Sequence, residues 1–189
     1  MLVDAETIAQ AVQPQFGFRN PVLPHCLIKR RRVAAYYWRP KDLDSLGALD
    51  KPYDPLLGRK TYDIFASYWP YVPADDPIGP VFTKANKYVL TRARQNSTGP
   101  TATRCATFDD LRKVKAGDGP DIVLWGSSTL YPQLLEANLI DRFLLLTCPI
   151  VLGKGKKLFG STSHPVNLKL VRNDISSTGV ILATYEHKG

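Results

Sequence analysis

Phosphate recognition needs backbone N–H groups, hydroxyls and cations brought to one point, and three short stretches of this chain supply those types. Gly58-Arg59-Lys60-Thr61 sets a glycine ahead of two cations and a hydroxyl. A guanidinium can grip a phosphate in a bidentate way, and threonine can donate from its side chain. Cations at a helix start oppose the macrodipole, and an anion bound between them removes that conflict. Gly126-Ser127-Ser128 follows an apolar run and precedes a helical pattern. A strand, a small-residue turn and a helix start leave N–H groups free to meet an anion. Leu90-Thr91-Arg92-Ala93-Arg94 follows a β-type run and offers a threonine and two arginines. Each stretch also has an ordinary reading: a solvated helix terminus, a turn that serves packing, an exposed edge loop. Neither GxGxxG nor GxxxxGK[ST] is present at these turns.

The surrounding text supplies elements to position them. Gly58 to Trp69 reads as a glycine turn followed by a helix, with Tyr62, Phe65 and Trp69 at helical spacing, ended by Pro70 and Pro73. Pro77–Phe82 reads as turn-like, and Lys87–Thr91 as a strand. Thr107-Phe108-Asp109-Asp110 has the types of an N-cap with acids in the first turn, opening a helix to Lys115. Gly117–Pro120 is a loop, Asp121–Trp125 a buried strand, and Thr129–Ala137 a helix with Leu130, Leu134 and Leu135 on its apolar side. Arg142–Pro149 is a further strand; Leu168–Asn173 and Gly179–Tyr185 form a terminal antiparallel pair. This rhythm predicts an α/β sheet with both faces covered. Ligands of such sheets bind at the carboxyl ends of the strands. Three anion-type turns at three strand ends fit one extended, polyphosphate-bearing ligand, with the threonine and two arginines of the Leu90–Arg94 stretch suited to a second phosphate such as the 2′-phosphate that separates NADPH from NADH.

Composition narrows the classes. A chain of 189 residues with 44% hydrophobic and 22% charged residues is that of an ordinary globular domain. No apolar run is long enough to cross a bilayer as a helix. The N-terminus lacks the basic start and apolar core of a secretory signal, so a cytoplasmic setting with reduced Cys26, Cys105 and Cys148 is expected. No CxxC pair or His/Cys spacing suits a metal. The net charge of +8 fits either a polyanionic small molecule or nucleic acid. The dense basic cluster Lys29-Arg30-Arg31-Arg32 reads first as a solvated surface segment, since no recognition-helix or RNA-binding signature accompanies it. Residues 1–55 differ in character from the rest: Asp4–Val12 has a short helical pattern and Val33–Trp38 a strand-like one, separated by Pro14, Pro21 and Pro24 and followed by Pro40, Pro52 and Pro55.

The order of motifs carries a resemblance. Leu57-Gly58-Arg59-Lys60-Thr61-Tyr62, Lys87-Tyr88-Val89-Leu90-Thr91-Arg92, Trp125-Gly126-Ser127-Ser128, Pro149-Ile150-Val151-Leu152-Gly153-Lys154-Gly155 and Ser177-Thr178-Gly179-Val180 follow one another. Over about two-thirds of its length the chain resembles the dihydrofolate reductase-like family that includes the C-terminal reductase domain of bacterial riboflavin biosynthesis deaminase–reductases, in particular its small stand-alone members. The resemblance implies a three-layer αβα fold around a mostly parallel sheet of about eight strands with an antiparallel C-terminal pair. It implies an NADPH-dependent reductase acting on a small heterocycle, such as a pterin or a ribosylaminopyrimidine. Gly58, Arg59, Lys60 and Thr61 would contact cofactor phosphates; Leu90, Thr91 and Arg92 would lie by the adenosine 2′-phosphate. Gly126, Ser127, Ser128, Thr129 and Leu130 would hold the pyrophosphate, and Val151, Leu152 and Gly153 would face the substrate. A homodimer is implied as well.

The family's opening strand, with a Ser/Thr-Leu-Asp-Gly-type motif whose carboxylate lies near the substrate, has no match in residues 1–55; Asp44 to Asp50 holds similar letters in another order. The chain therefore divides into a divergent segment, 1–55, and a reductase body, 56–189, within one domain overall. Such a segment is what a replacement or a shifted reading frame upstream of an intact body produces. A second frame of the gene encoding a Leu-Asp-Gly strand is the mark to look for. No catalytic acid is assigned: Asp44 and Asp50 qualify only as carboxylates, and His25, His164 and His187 have no evident partners, His187 lying in a terminal tail. Two further readings stay open: a nucleotide-binding or dimeric member without turnover, and a nucleic-acid binder acting through Lys29–Arg32.

Overall fold

The computed structural model describes residues 25–28, 51–71, 79–93, 101–125, 128–147, 149, 158–159, 162–176 and 179–187. The expected helix over Asp4–Val12, the strand over Val33–Trp38, the basic cluster Lys29–Arg32, and Asp44 and Asp50 lie outside them.

The strands are β1 (His25–Ile28), β2 (Tyr53–Gly58), β3 (Lys87–Leu90), β4 (Ala102–Cys105), β5 (Asp121–Trp125), β6 (Arg142–Thr147), β7 (Leu168–Ile175) and β8 (Ile181–His187). The α-helices are α1 (Arg59–Tyr68), α2 (Gly79–Lys84), α3 (Phe108–Ala116) and α4 (Tyr131–Glu136). Among the described residues the strands form one sheet in the order β4-β3-β2-β5-β1-β6-β8-β7. Strands β4, β3, β2 and β5 pair in parallel, whereas β1, β6, β8 and β7 make antiparallel ladders. The expected α/β fold with an antiparallel C-terminal pair is thus present.

Burial explains why β2 and β5 are central. All six positions of β2 and Ile122 to Trp125 of β5 are buried, as expected for parallel strands covered on both faces. Above them an aromatic cluster joins Phe65 of α1 to Trp69, Phe82 and Trp125 at centroid distances of 5.9, 5.1 and 5.8 Å, each edge to face. Tyr131, Phe143 and Phe159 form a second cluster, with Phe143 and Phe159 at 5.4 Å.

Helix α3 has the N-terminus its sequence predicts. Thr107 accepts from the Asp110 N–H at 3.2 Å, and the Asp110 carboxylate accepts from the N–H groups of Thr107 and Ala106 at 3.0 and 2.9 Å. These bonds satisfy orphan donors reciprocally and hold the Asp110 carboxyl below its usual range. The contribution of that carboxylate is present above the ordinary carboxylate range and is lost as pH falls through the lowered value. Thr107→Ala should cost about 1 kcal/mol of stability, read as a lower urea midpoint at neutral pH. At its far end α3 is tied to the sheet: Lys115 donates to both Asp141 carboxylate oxygens, at 2.9 and 3.0 Å.

Several local expectations are corrected. Pro77–Phe82 is not a turn throughout, because helix α2 starts at Gly79; Pro80 sits in its first turn, where a missing N–H costs nothing. Strand β2 begins at Tyr53, ahead of the expected boundary at 55/56. Its Pro55 pairs with Val123 of β5, while the ladder to β3 begins only at Leu56. The proline therefore sits where the strand is locally an edge, the position that tolerates a lost donor. Strand β4, with the sequence ATRC, was not legible as a strand; its tertiary pairing with β3 makes it one. Trp69 closes α1 as a 3-10 turn, Trp69–Tyr71. The helix expected over Thr129–Ala137 is a 3-10 turn, Ser128–Leu130, leading into α4. Strand β6 stops at Thr147, and β7 runs on to Ile175. His187 is not in a fraying tail: it ends β8 and pairs with Leu168 of β7, and its N–H donates to the Asp141 carbonyl at 2.9 Å.

Candidate functional site

Register brings the expected turns together. Gly58, the last residue of β2, pairs with Leu90, the last of β3, and Leu57 pairs with Trp125, the last of β5. Leu90 in turn pairs with Cys105, the last of β4. Four parallel strands therefore end side by side, so Gly58, Leu90 and Trp125 lie at one carboxyl edge. That is the edge where open α/β sheets bind ligands. Gly126 and Ser127 lie outside the described residues, as do the expected substrate-loop residues Val151, Leu152 and Gly153. Ser128 and Leu130 bound the 3-10 turn, with Thr129 exposed and Leu130 packed against the core.

The first turn is built on the start of α1. Gly58 is the N-cap in an extended conformation, and the helix has no side-chain cap and no acid in its first turn. In contrast to α3, which caps itself, α1 brings neither a capping side chain nor a first-turn carboxylate of its own to its positive end. Thr61 is buried and Lys60 exposed. Arg59 spreads its guanidinium on Asp63, with Nε to Oδ2 and Nη2 to Oδ1 both at 2.9 Å, and lies over the Tyr62 ring at 5.9 Å. The Asp63 hydrogen bond, more than any other cause, raises the pKa of Arg59. The side chain as a whole is 31% exposed, yet its Nη1 is buried with no hydrogen-bond partner among the described residues. A buried donor without an acceptor is costly, and an anionic group set over this turn would satisfy it. The sequence does carry a signal for this pair, since the i,i+4 spacing of Asp63 from Arg59 is a pairing distance on a helix.

The second turn continues the β3–β4 ladder. The Thr91 N–H donates to the Cys105 carbonyl at 3.0 Å, and the Thr91 hydroxyl oxygen accepts from the Ala93 N–H at 3.2 Å. With its oxygen engaged by the backbone, that hydroxyl keeps its hydrogen to donate outward. Arg92 is exposed, and Arg94 lies outside the described residues. Beneath the turn, burial pushes the Cys105 thiol up to about 11, so it stays protonated at neutral pH and packs as a small apolar group.

A buried polar node lies at the opposite edge. The Asp54 carboxylate, near the start of β2, accepts from the Asn86 N–H at 3.2 Å. The Lys87 ammonium donates to the carbonyls of Thr83 and Ala85 at 3.2 and 3.0 Å and to the Thr101 hydroxyl at 2.8 Å. Burial lowers the Lys87 pKa, and Asp54 partly offsets this. These groups stitch the strand starts together and lie away from the carboxyl edge that holds Gly58 and Leu90.

Strand β1 differs from any expectation. It runs antiparallel to both β5 and β6, with His25 opposite Trp125 and Cys26 opposite Phe143. Its amino end, not its carboxyl end, therefore reaches the ligand edge. The strand reads HCLI and carries no carboxylate.

Comparison with known proteins agrees with this architecture. Residues 60–182 match the RibD C-terminal domain family. The Bacillus subtilis (strain 168) protein YyaP, itself uncharacterized, is 32% identical over 141 residues, covering 71% of this chain and 73% of that protein. Among solved structures, Enterococcus faecalis dihydrofolate reductase complexed with NADP(H) superposes with a TM-score of 0.55 at 14% identity, covering 86% of this chain and 99% of that one. A Thermotoga maritima diaminohydroxyphosphoribosylaminopyrimidine deaminase/5-amino-6-(5-phosphoribosylamino)uracil reductase gives 0.57 at 16% identity, covering 85% of this chain and 57% of that one. The two structures speak to the fold, and the match over residues 60–182 to the family: the chain belongs to the RibD C-terminal domain family, a reductase-like family with the dihydrofolate reductase-like fold.

Proposed function

We propose that the chain binds NADPH along the carboxyl edge of β2, β3 and β5 and acts as a reductase on a small heterocycle, of the 5-amino-6-(5-phosphoribosylamino)uracil or pterin kind. The convergence of the Gly58, Leu90 and Trp125 turns on that edge carries the reading. One extended ligand with separated phosphates accounts for an α1 without a side-chain cap, an Arg59 donor buried without a partner among the described residues, and a Thr91 hydroxyl whose hydrogen remains to donate. Gly58–Thr61 would receive phosphate oxygens, Thr91 and Arg92 the 2′-phosphate, and the turn from Gly126 to Leu130 the pyrophosphate. Val151–Gly153 would border the substrate. The cofactor supplies the hydride; the chain's part is to hold it and to keep its phosphates at fixed points.

The test is saturable quenching of Trp125 fluorescence by NADPH, followed by NADPH oxidation in the presence of candidate heterocycles. No quenching and no oxidation would reject the reading. Arg92→Ala should narrow the affinity gap between NADPH and NADH by about tenfold, the scale of one lost charge-assisted hydrogen bond. Equilibrium titration with both dinucleotides measures it; an unchanged gap removes Arg92 from the 2′-phosphate site.

A second reading is favoured by β1. A strand running against β5 and β6 without a carboxylate supports a member that binds the dinucleotide but does not turn over. Binding without oxidation of NADPH by any heterocycle is its signature. The exposed apolar residues Leu170, Val171 and Ile175 along the outermost strand β7 support a pairing with a second copy of the chain.

A further inference from the structure

The Thr91–Ala93 turn is held from the neighbouring strand by a residue with no part in the site so far. Arg104 of β4 donates through Nε to the Ala93 carbonyl at 2.8 Å and through Nη2 to the Arg92 carbonyl at 3.3 Å. Both bonds go to consecutive carbonyls of the turn proposed to receive the 2′-phosphate. Carbonyl oxygens carry partial negative charge, and near a phosphate they would oppose it. Bonded to Arg104, these two are engaged by a cation and cannot swing toward the anion. The same bonds fix the backbone that carries Arg92. Only a planar guanidinium can span two acceptors in a fixed fork; an ammonium is a point charge on a flexible stem.

We propose that Arg104 is a positioning residue that holds the Thr91–Arg92–Ala93 turn in the shape that selects a 2′-phosphorylated dinucleotide. This rests on the NADPH reading above. Arg104 is exposed, so its replacement leaves the core intact.

The experiment is equilibrium titration of the full chain and of Arg104→Lys and Arg104→Gln with NADPH and NADH, with thermal midpoints recorded alongside. Both variants are expected to lose about tenfold in NADPH affinity, the size of one charge-assisted hydrogen bond, with NADH affinity and thermal midpoint nearly unchanged. Retention of the wild-type preference by Arg104→Lys would overturn the proposal, since charge alone would then suffice. Equal losses for both dinucleotides would also overturn it, pointing to a general structural role. A wild-type chain without preference for NADPH would instead overturn the cofactor reading, and this assignment with it.

Discussion

Arg59→Ala should weaken NADPH binding by about ten- to a hundredfold, the range for losing charge-assisted contacts to phosphate. The side chain is already committed in one direction: Asp63 holds Nε and Nη2 and leaves Nη1 buried without an acceptor among the described residues. Little rotamer freedom remains to be lost on binding, so the contact is worth more than that of a free surface arginine. Arg59→Lys should recover only part of the affinity, because an ammonium cannot engage Asp63 through two nitrogens and still present a third donor. Titration of the variants by NADPH fluorescence checks both. Affinity within about twofold of wild type in Arg59→Ala would place the phosphates elsewhere on the edge.

The largest loss of stability is expected in the core directly beneath the same edge. Trp125→Ala should cost about 3–5 kcal/mol. The indole is 1% exposed, stacks on Tyr53 at 6.1 Å and meets Phe65 and Phe82 edge to face at 5.8 and 6.1 Å. Its removal leaves a cavity between β5, α1 and α2 that rigid aromatic neighbours cannot collapse to fill. A typical domain has only about 5–15 kcal/mol in total, so the urea midpoint should fall steeply while Tyr71→Ala, at a residue 82% exposed, stays near wild type. Because Trp125 immediately precedes the Gly126 turn, part of the loss should reappear as weaker dinucleotide binding. A Trp125→Ala chain within about 1 kcal/mol of wild type would contradict the packing described for the cluster.

How far the text was legible varied with the range of the forces involved. The capping box at Thr107–Asp110 is a contact between residues adjacent in sequence, and residue types foretell it. The buried strand Asp121–Trp125 announces itself as an apolar run bounded by a loop and a small-residue turn. Strand β2 was partly hidden, since Tyr53, Asp54 and Pro55 do not look like a central strand. Asp54 stays buried because it finds the Asn86 N–H far along the chain, and Pro55 is tolerated because β3 pairs only past it. Strand β4 was hidden altogether: ATRC has no strand pattern of its own and is fixed by register with Lys87–Leu90. Arg104 is hidden for the same reason, since the carbonyls it holds belong to another loop.

The direction of β1 shows the limit most clearly. A short run such as HCLI does not state which way it will run in a sheet; that depends on which edges β5 and β6 leave open to it. By itself, the sequence determined the residue types at the three strand-end turns and the local elements that carry them, because glycine, hydroxyl and cation patterns and helix caps act over a few residues. Only the tertiary structure decided that Gly58, Leu90 and Trp125 end in register on one edge, that Asp63 and Arg104 hold the groups there, and that β1 presents its amino end to that edge. Pairing across a sheet joins segments far apart in the chain, and its register is set by long-range packing that no local pattern encodes.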